Sequence, residues 1–209
     1  MPRSGSTWSF NVCRLLLEGR RLRYAGYEEH LSSIYAEIAE HDAVVKSHGL
    51  DELGDALLAH GQCKAIYTRR APEDAVASCM QMFGMTFESA LERVAHSVEL
   101  WQSWRSFEGV VAVDYATILE APVQQIERIS AHIEVHAAPS RIETIAHRLS
   151  LDQTKALSDE LAQSPAQLNE HGYHDETLLH PSHIRNGTIG YGSTILNDEQ
   201  RRKCAALVL

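Results

Sequence analysis

The sequence has 209 residues, of which 44% are hydrophobic and 22% are charged, and its formal net charge at pH 7 is −9. This length and composition are typical of one globular domain over residues 1–209, and they exclude a disordered tail, a collagen-like chain and a coiled coil. Because nucleic-acid binders are usually basic, the acidic balance argues against that class of partner. Any phosphate site must be built locally from clustered cations and backbone amides.

The predicted elements alternate between strand and helix along the chain. Short apolar or β-branched runs predict strands at residues 22–25, 43–46, 63–68 and 110–113. Apolar residues at helical spacing predict helices over residues 7–18, 30–39, 51–59, 72–83, 87–107, 122–133 and 142–161. This alternation predicts a three-layer α/β/α fold with a central, mostly parallel sheet. Residues 164–192 are rich in proline and glycine without periodicity, and they are predicted to form a long functional loop.

The spacing of the cysteines and the lack of long apolar segments predict the cellular compartment of the protein. No run of about eighteen apolar residues is present, so no membrane span is expected. The first residues also lack the apolar core of a signal peptide. The cysteines form no C-x-x-C pair and show no zinc-type spacing; they are Cys13, Cys63, Cys79 and Cys204. We therefore expect reduced thiols in a cytoplasmic protein.

The first candidate motif spans residues 2–8, which read PRSGSTW and run directly into a predicted helix. A glycine and hydroxyl residues at a helix N-terminus offer free amides and a favourable dipole to an anion. Arg3 adds a fixed cation. The same residues also suit an ordinary helix N-cap, where serine and threonine are common. The segment is not a Walker A loop, because the pattern G-x-x-x-x-G-K is absent.

Two further motifs follow predicted strands. Lys46 and His48 stand at the end of the run 43–46, where active sites of α/β proteins form, although a surface turn with an incidental histidine has the same pattern. Arg70 ends the next strand, and Ser78 follows eight residues later on a helix. Such a pair can grip one phosphate, but it also fits a solvated arginine and a packed serine.

The long loop contributes the last motif, residues 185–190, which read RNGTIG. An arginine before a glycine-rich turn can fold over a phosphate with its backbone amides, or it can belong to a flexible tail. Four histidines of this loop are spaced like metal ligands, but we interpret them as solvated side chains; they are His171, His174, His180 and His183.

Together these motifs resemble the cofactor-binding core of the sulfotransferases that use 3′-phosphoadenosine 5′-phosphosulfate (PAPS). Residues 2–8 look like the family's 5′-phosphosulfate loop P-K-S-G-T-T-W, with Arg3 where lysine is most common. Residues 46–48 look like its K-T-H segment. Arg70 with Ser78 looks like its 3′-phosphate signature, and residues 185–190 look like its R-K-G-x-x-G loop. The resemblance extends from residue 2 to about residue 192.

The resemblance implies a P-loop-like fold and transfer of a sulfuryl group from PAPS to a hydroxyl or amine, without a metal. The acceptor would be a small molecule or a glycan. His48 would be the catalytic base, and Lys46 and Arg3 would stabilise the transferring group. The loop 164–192 would cap the cofactor. The implied cofactor-binding residues are Arg3, Ser4, Gly5, Ser6, Thr7, Trp8, Arg70, Ser78, Tyr115, Arg185, Asn186 and Gly187.

Two other function classes stay open at this point. Residues 110–114 look like a Walker B strand, in which Asp114 would hold Mg²⁺ in a phosphate-loop kinase or another NTPase. The missing Walker A lysine opposes that class. The second is a noncatalytic nucleotide-binding protein. In the sulfotransferases the phosphosulfate loop follows a central strand, whereas this sequence begins at the loop. We therefore expect a domain without its first strand, whose open sheet edge favours association, including a homo-oligomer.

Overall fold

Parallel strand pairs form the sheets of the computed structural model, which describes residues 1–19, 22–181, 184 and 187–209. The strands are β1 (Leu22–Tyr27), β2 (Asp42–Lys46), β3 (Ala65–Arg69) and β4 (Val110–Asp114). β1 pairs with β2 and β3 pairs with β4, both in parallel. Each strand falls on one of the predicted apolar runs.

Helices fill most of the intervals between the strands. Their bounds are α1 (Ser6–Leu17), α2 (Tyr35–Ile38), α3 (Glu52–Ala59), α4 (Pro72–Phe83), α5 (Phe87–Trp104), α6 (Tyr115–Glu120), α7 (Pro122–His132), α8 (Pro139–Arg148), α9 (Leu151–Gln163), α10 (Gly192–Ile195) and α11 (Asp198–Ala205). Short 3-10 helices occupy Leu31–Ile34 and Pro165–Gln167. Among the described helices, none has the length and apolar character needed to cross a membrane.

The prediction of one helix over residues 142–161 is wrong, because a helix cap divides it. α8 ends at Arg148, and Ser150 adopts an extended conformation with φ −59° and ψ 156°. The Ser150 hydroxyl accepts a 3.4 Å hydrogen bond from the backbone N–H of Gln153 and so begins α9. The helical spacing of apolar residues continues across this break, which is why the pattern predicted a single helix.

The chain divides into two compact units, each made of non-contiguous segments. The first unit comprises Met1–Ser6, Asp55–Ile118 and Thr188–Leu209, and it contains β3 and β4. Its core is formed by the buried faces of α4 and α5 around Tyr67. The Tyr67 ring stacks on Trp101 with a centroid distance of 5.1 Å.

The second unit comprises Thr7–Gly54 and Leu119–Gly187, and it contains β1 and β2. Many of its buried apolar residues come from α1 and from one face each of α7 and α8, on which they alternate with exposed polar positions. Ile126 and Ile129 of α7 and Leu161 of α9 are completely buried.

Strand register places several polar residues at the carboxyl ends of the parallel pairs. Tyr27 pairs with Lys46 at the end of the β1–β2 pair. Arg69 pairs with Asp114 at the end of the β3–β4 pair. The carboxyl ends of parallel strands are where α/β proteins bind ligands. The predicted motifs at Lys46–His48 and at Arg70 therefore follow directly after such ends.

Candidate active site

In the loop before α1, two residues have a left-handed backbone conformation. Arg3 has φ +58° and Gly5 has φ +92°. A Cβ atom on Gly5 would lie 2.8 Å from Cδ1 of Ile118 and 3.4 Å from the Tyr115 ring. Only glycine therefore fits at position 5, because both the positive φ and the close approach exclude a side chain.

Ser4 attaches this loop to strand β3. Its side chain is fully buried, and its hydroxyl lies 2.9 Å from the carbonyl oxygen and 2.7 Å from the hydroxyl of Thr68. The hydroxyl also donates to the carbonyl of Met1. The Ser4 hydroxyl is thus already hydrogen-bonded within the protein, so Ser4 would contact a ligand through its backbone N–H.

Arg3 and Ser78 lie together although they are far apart in the sequence. The Nε of Arg3 donates a 3.2 Å hydrogen bond to the hydroxyl of Ser78, which stands on α4. One guanidinium and one hydroxyl from two separate sequence motifs thus meet in the first unit. Such a pair offers both a positive charge and a polar hydrogen to an anion.

The Arg70 guanidinium is held on several sides within the same unit. Only 9% of its side chain is exposed. It donates to Asp74 at 3.4 Å, to the carbonyl of Arg3 at 3.5 Å and to the carbonyl of Thr188 at 2.5 Å. Its central carbon lies 4.4 Å from the centroid of the Tyr115 ring, which is a cation–π distance. Burial raises the pKa of Tyr115, and the charges of Arg70 and Arg3 partly oppose that rise.

Lys46 and His48 occupy the end of β2 in the second unit. The Lys46 ammonium donates a 2.8 Å hydrogen bond to Oγ1 of Thr7, the second residue of α1. The His48 imidazole lies 5.8 Å from the Tyr27 ring, centroid to centroid, with the ring planes inclined by 59°. The Tyr27 hydroxyl in turn donates to Glu29 at 2.7 Å.

The remaining predicted site residues are placed as follows. Ser6 and Trp8 belong to the first turn of α1 and are half-buried. Gly187 has φ +60°, and a Cβ atom on it would lie 2.9 Å from Cδ2 of Leu151. Arg185 and Asn186 lie outside the described residues, so their predicted roles stay predictions.

The long segment predicted as a loop, residues 164–192, divides between the two units. Its earlier part contacts α1, where Asn11 donates a 2.8 Å hydrogen bond to the carbonyl of Thr177 and Arg14 forms a 2.5 Å ion pair with Glu176. Its last residues, from Thr188 onward, belong to the unit that contains Arg70. Whether this segment caps a cofactor stays a prediction.

Asp114, the predicted Mg²⁺ ligand of the kinase alternative, is engaged by a cation. Both of its carboxylate oxygens accept from the Arg69 guanidinium, at 2.6 Å and 3.1 Å. This hydrogen bonding raises the pKa of Arg69. A carboxylate in a two-pronged arginine pair is already neutralised, so this arrangement argues against a Mg²⁺ ligand at Asp114.

None of the sequence motifs includes Tyr27, Thr68 or Asp74 as a binding or catalytic residue. Tyr27 could have been found from strand pairing, because it ends the strand that runs beside Lys46. Asp74 stands four residues after Arg70 and four before Ser78, so it shares a face of α4 with Ser78 and lies one helical turn beyond Arg70, which precedes the helix. Thr68 lies inside an apolar strand, and no signal in the sequence marks its hydroxyl.

Known proteins resemble this chain in both sequence and fold. A family model described as a sulfotransferase domain matches residues 1–178. The chain belongs to the sulfotransferase family. Its α/β fold with parallel strands, predicted from the sequence, is confirmed by this match and by solved sulfotransferase structures. It is accordingly a transferase enzyme.

Two of the similar solved structures hold the same nucleotide, 3′,5′-adenosine bisphosphate (PAP). The mouse sulfotransferase SULT7A1 complexed with PAP is 17% identical, with a TM-score of 0.72, over 99% of this sulfotransferase and 79% of that chain. Retinol dehydratase in complex with androsterone and the inactive cofactor PAP is 16% identical, with a TM-score of 0.67, over 98% and 76% of the two chains. A search of curated proteins gave no significant match.

Proposed function

We propose that this sulfotransferase transfers a sulfuryl group from PAPS to a hydroxyl or amine of a small-molecule or glycan acceptor. The other product is 3′,5′-adenosine bisphosphate (PAP). The observation that supports the proposal most is the cluster of Arg3, Arg70, Ser78 and Tyr115 in the first unit. It combines two guanidinium groups, a hydroxyl and an aromatic ring, which are the groups that suit a nucleotide phosphate and its base.

The number of N–H groups on the Arg70 guanidinium supports its assignment to the 3′-phosphate. A guanidinium carries five N–H groups, and the bonds of Arg70 to described residues use its Nε and one N–H of each terminal nitrogen. The other two N–H groups donate to none of the described residues, and we assign them to an anionic oxygen. Ser78 supplies a further donor, and the hydrogen bond from Arg3 fixes the position of its hydroxyl. In this proposal Arg185, which the family resemblance assigns to the same phosphate, adds a second cation.

The 5′-phosphosulfate assignment depends on the loop before α1. The left-handed backbone at Arg3 and Gly5 turns the chain sharply just before the helix begins at Ser6. Free amides at the beginning of a helix, together with its dipole, favour an anion there. We assign the backbone of residues 4–7 and the Ser6 and Thr7 hydroxyls to this phosphate, and Trp8 and Tyr115 to the adenine.

The chemistry requires a base and a stabilising cation. PAPS supplies the sulfuryl group, whose bond to the phosphate oxygen breaks while the acceptor oxygen or nitrogen forms a new bond to sulfur. The neutral His48 imidazole takes the proton that the acceptor loses. Lys46, fixed by Thr7, places positive charge against the oxygens of the transferring group and its leaving phosphate. Arg3 shares this second role.

The proposal is tested in two steps with the purified chain. Isothermal titration should give clearly tighter binding of PAP than of adenosine 5′-monophosphate, which lacks the 3′-phosphate. Equal affinity for the two nucleotides would remove the assignment of Arg70 and Ser78. Transfer from radiolabelled PAPS to a panel of phenols, sterols, amines and sugars then tests the proposed donor and acceptor class. PAP binding without transfer to any member of the panel would contradict this part of the proposal.

A further inference from the structure

Asp74 is a buried carboxylate to which the resemblance to known sulfotransferases assigned no role. It lies in the first turn of α4, and only 1% of the residue is exposed. A buried carboxylate is costly unless hydrogen-bond donors surround it. Its donors therefore show what this carboxylate does in the protein.

Two backbone N–H groups of the late glycine-rich turn point at Asp74. Gly190 donates to Oδ2 at 2.9 Å, and Gly192 donates to Oδ1 at 2.7 Å. A third donor is Nε of Arg70, at 3.4 Å from Oδ2. One carboxylate thus joins the turn at residues 190–192 to the guanidinium that the proposed function assigns to the 3′-phosphate.

Close packing fixes the same turn against α4. A Cβ atom on Gly192 would lie 2.6 Å from the carbonyl carbon and oxygen of Glu73 and 2.9 Å from the backbone nitrogen of Asp74. Residue 192 must therefore be glycine, because the opposing atoms are backbone and cannot move aside. The turn also reaches Arg70 by a second route, since the carbonyl of Thr188 accepts from that guanidinium at 2.5 Å.

We propose that Asp74 is a positioning residue that sets the orientation of Arg70 and the placement of residues 188–192 as one unit. Its effect on a ligand is indirect, through the guanidinium and the turn. A helix N-terminus is also stabilised by any acidic residue in its first turn. Glu73 stands in that turn as well. A variant of Glu73 therefore measures the effect of losing a charge at the helix N-terminus, and the additional effect of changing Asp74 measures its positioning of Arg70 and the turn.

The inference depends on the proposed function, and the test compares two nucleotides in three proteins. The variant Asp74→Asn keeps the size of the side chain but directs an N–H₂ group at one of the two glycine N–H groups. The variant Glu73→Gln is the matched control, because it removes the same charge from the same helical turn. Affinities for PAP and for adenosine 5′-monophosphate are measured for each variant and for the unmodified protein.

We expect Asp74→Asn to weaken PAP binding by about 10- to 100-fold, the range for a lost hydrogen bond to a charged group, with a much smaller change for adenosine 5′-monophosphate. Glu73→Gln should keep the preference of the unmodified protein. If Asp74→Asn keeps that preference while its melting temperature falls, Asp74 is only structural and the inference is wrong. If the unmodified protein itself shows no preference, the proposed function fails instead.

A second measurement serves if Asp74→Asn does not fold. Hydrogen exchange of the unmodified protein follows the amides of Gly190 and Gly192, which donate to Asp74. Because Arg70 links this turn to the proposed phosphate site, PAP should slow their exchange more than adenosine 5′-monophosphate does. Equal slowing by both nucleotides would overturn the inference.

Discussion

The Lys46 ammonium donates a 2.8 Å hydrogen bond to Oγ1 of Thr7, which connects the end of β2 to the first turn of α1. If this cation stabilises the transferring sulfuryl group, Lys46→Met should lower kcat by about 10²- to 10³-fold, as expected for loss of one charged donor. Thr7→Val should have a smaller effect, because Lys46 keeps its charge but loses one acceptor that fixes it. Steady-state rates with saturating PAPS measure both changes. A variant Lys46→Met with unchanged kcat would exclude this role.

The predicted base, His48, should be needed for turnover but not for nucleotide binding. His48→Ala should lower kcat by about 10²- to 10⁴-fold, the usual contribution of general base catalysis, and leave the Kd of PAP nearly unchanged. Tyr27→Phe is a useful control because it keeps the ring beside His48 and removes only the hydroxyl that donates to Glu29. Loss of PAP binding with an unchanged rate at saturation would show that His48 is not the base.

Arg70 should contribute more to the 3′-phosphate than to the rest of the nucleotide. Arg70→Ala should weaken PAP binding by about 2–4 kcal/mol, the typical result of truncating a buried charged contact. Arg70→Lys keeps the positive charge but not the planar guanidinium, so it should keep only part of the PAP binding energy that Arg70→Ala loses. Competition with adenosine 5′-monophosphate provides the measurement. A loss of equal size for both nucleotides would place Arg70 elsewhere in the site.

The Asp51 carboxylate should make the stability of the region around residues 31–54 depend on pH. It accepts from the backbone N–H of Ser32 at 2.9 Å, from the Ser32 hydroxyl at 2.7 Å and from the backbone N–H of Gly54 at 2.9 Å. These bonds, led by the one from the Ser32 backbone, lower the pKa of Asp51 from 3.8 to about 2. A lowered folded-state pKa means that the stabilisation is complete above about pH 4 and disappears as the pH falls toward 2.

Asp51→Asn should therefore lower the melting temperature by a few degrees at neutral pH, and this difference should shrink as the pH falls from 4 to 2. Thermal unfolding followed by circular dichroism over that range gives the comparison. Asp55→Asn is a suitable control, because that carboxylate accepts only from the Trp104 indole among the described contacts. A difference between Asp51→Asn and the unmodified protein that is constant with pH would contradict the assignment.

The cysteines should differ sharply in reactivity toward a thiol reagent at pH 7.5. Burial raises the pKa of Cys13 to about 12 and that of Cys204 to about 11, and it also raises the pKa of Cys79. Burial raises the pKa of Cys63 as well, but this thiol is only half-buried, so a reagent can reach it in the folded protein. Reaction requires both access and the thiolate form, so Cys63 should react first and the other three only after unfolding. Cys63→Ser should remove the fast phase, and a remaining fast phase would contradict the burial of the other thiols.

The α/β class and the positions of the strands could be predicted from the sequence alone. Residues 65–68 and 110–113 are mostly apolar or β-branched, and short runs of this kind indicate strands of a parallel sheet. The motifs that mark the family are also local, because a phosphate loop needs particular residues at fixed spacing before a helix. Residues 2–8 alone suit either an anion-binding loop or an ordinary helix N-cap, and the other motifs of the resemblance favour the loop.

Tertiary structure decided which groups meet and which are already occupied. The sequence placed Ser4 among the ligand contacts, but in the fold its hydroxyl points at the carbonyl oxygen of Thr68. It placed Asp114 as a possible metal ligand, but strand register brings Arg69 against it. Asp74 contacts residues 116 and 118 positions away. Such pairings depend on how separate segments pack, and no local pattern of apolar and polar residues encodes them.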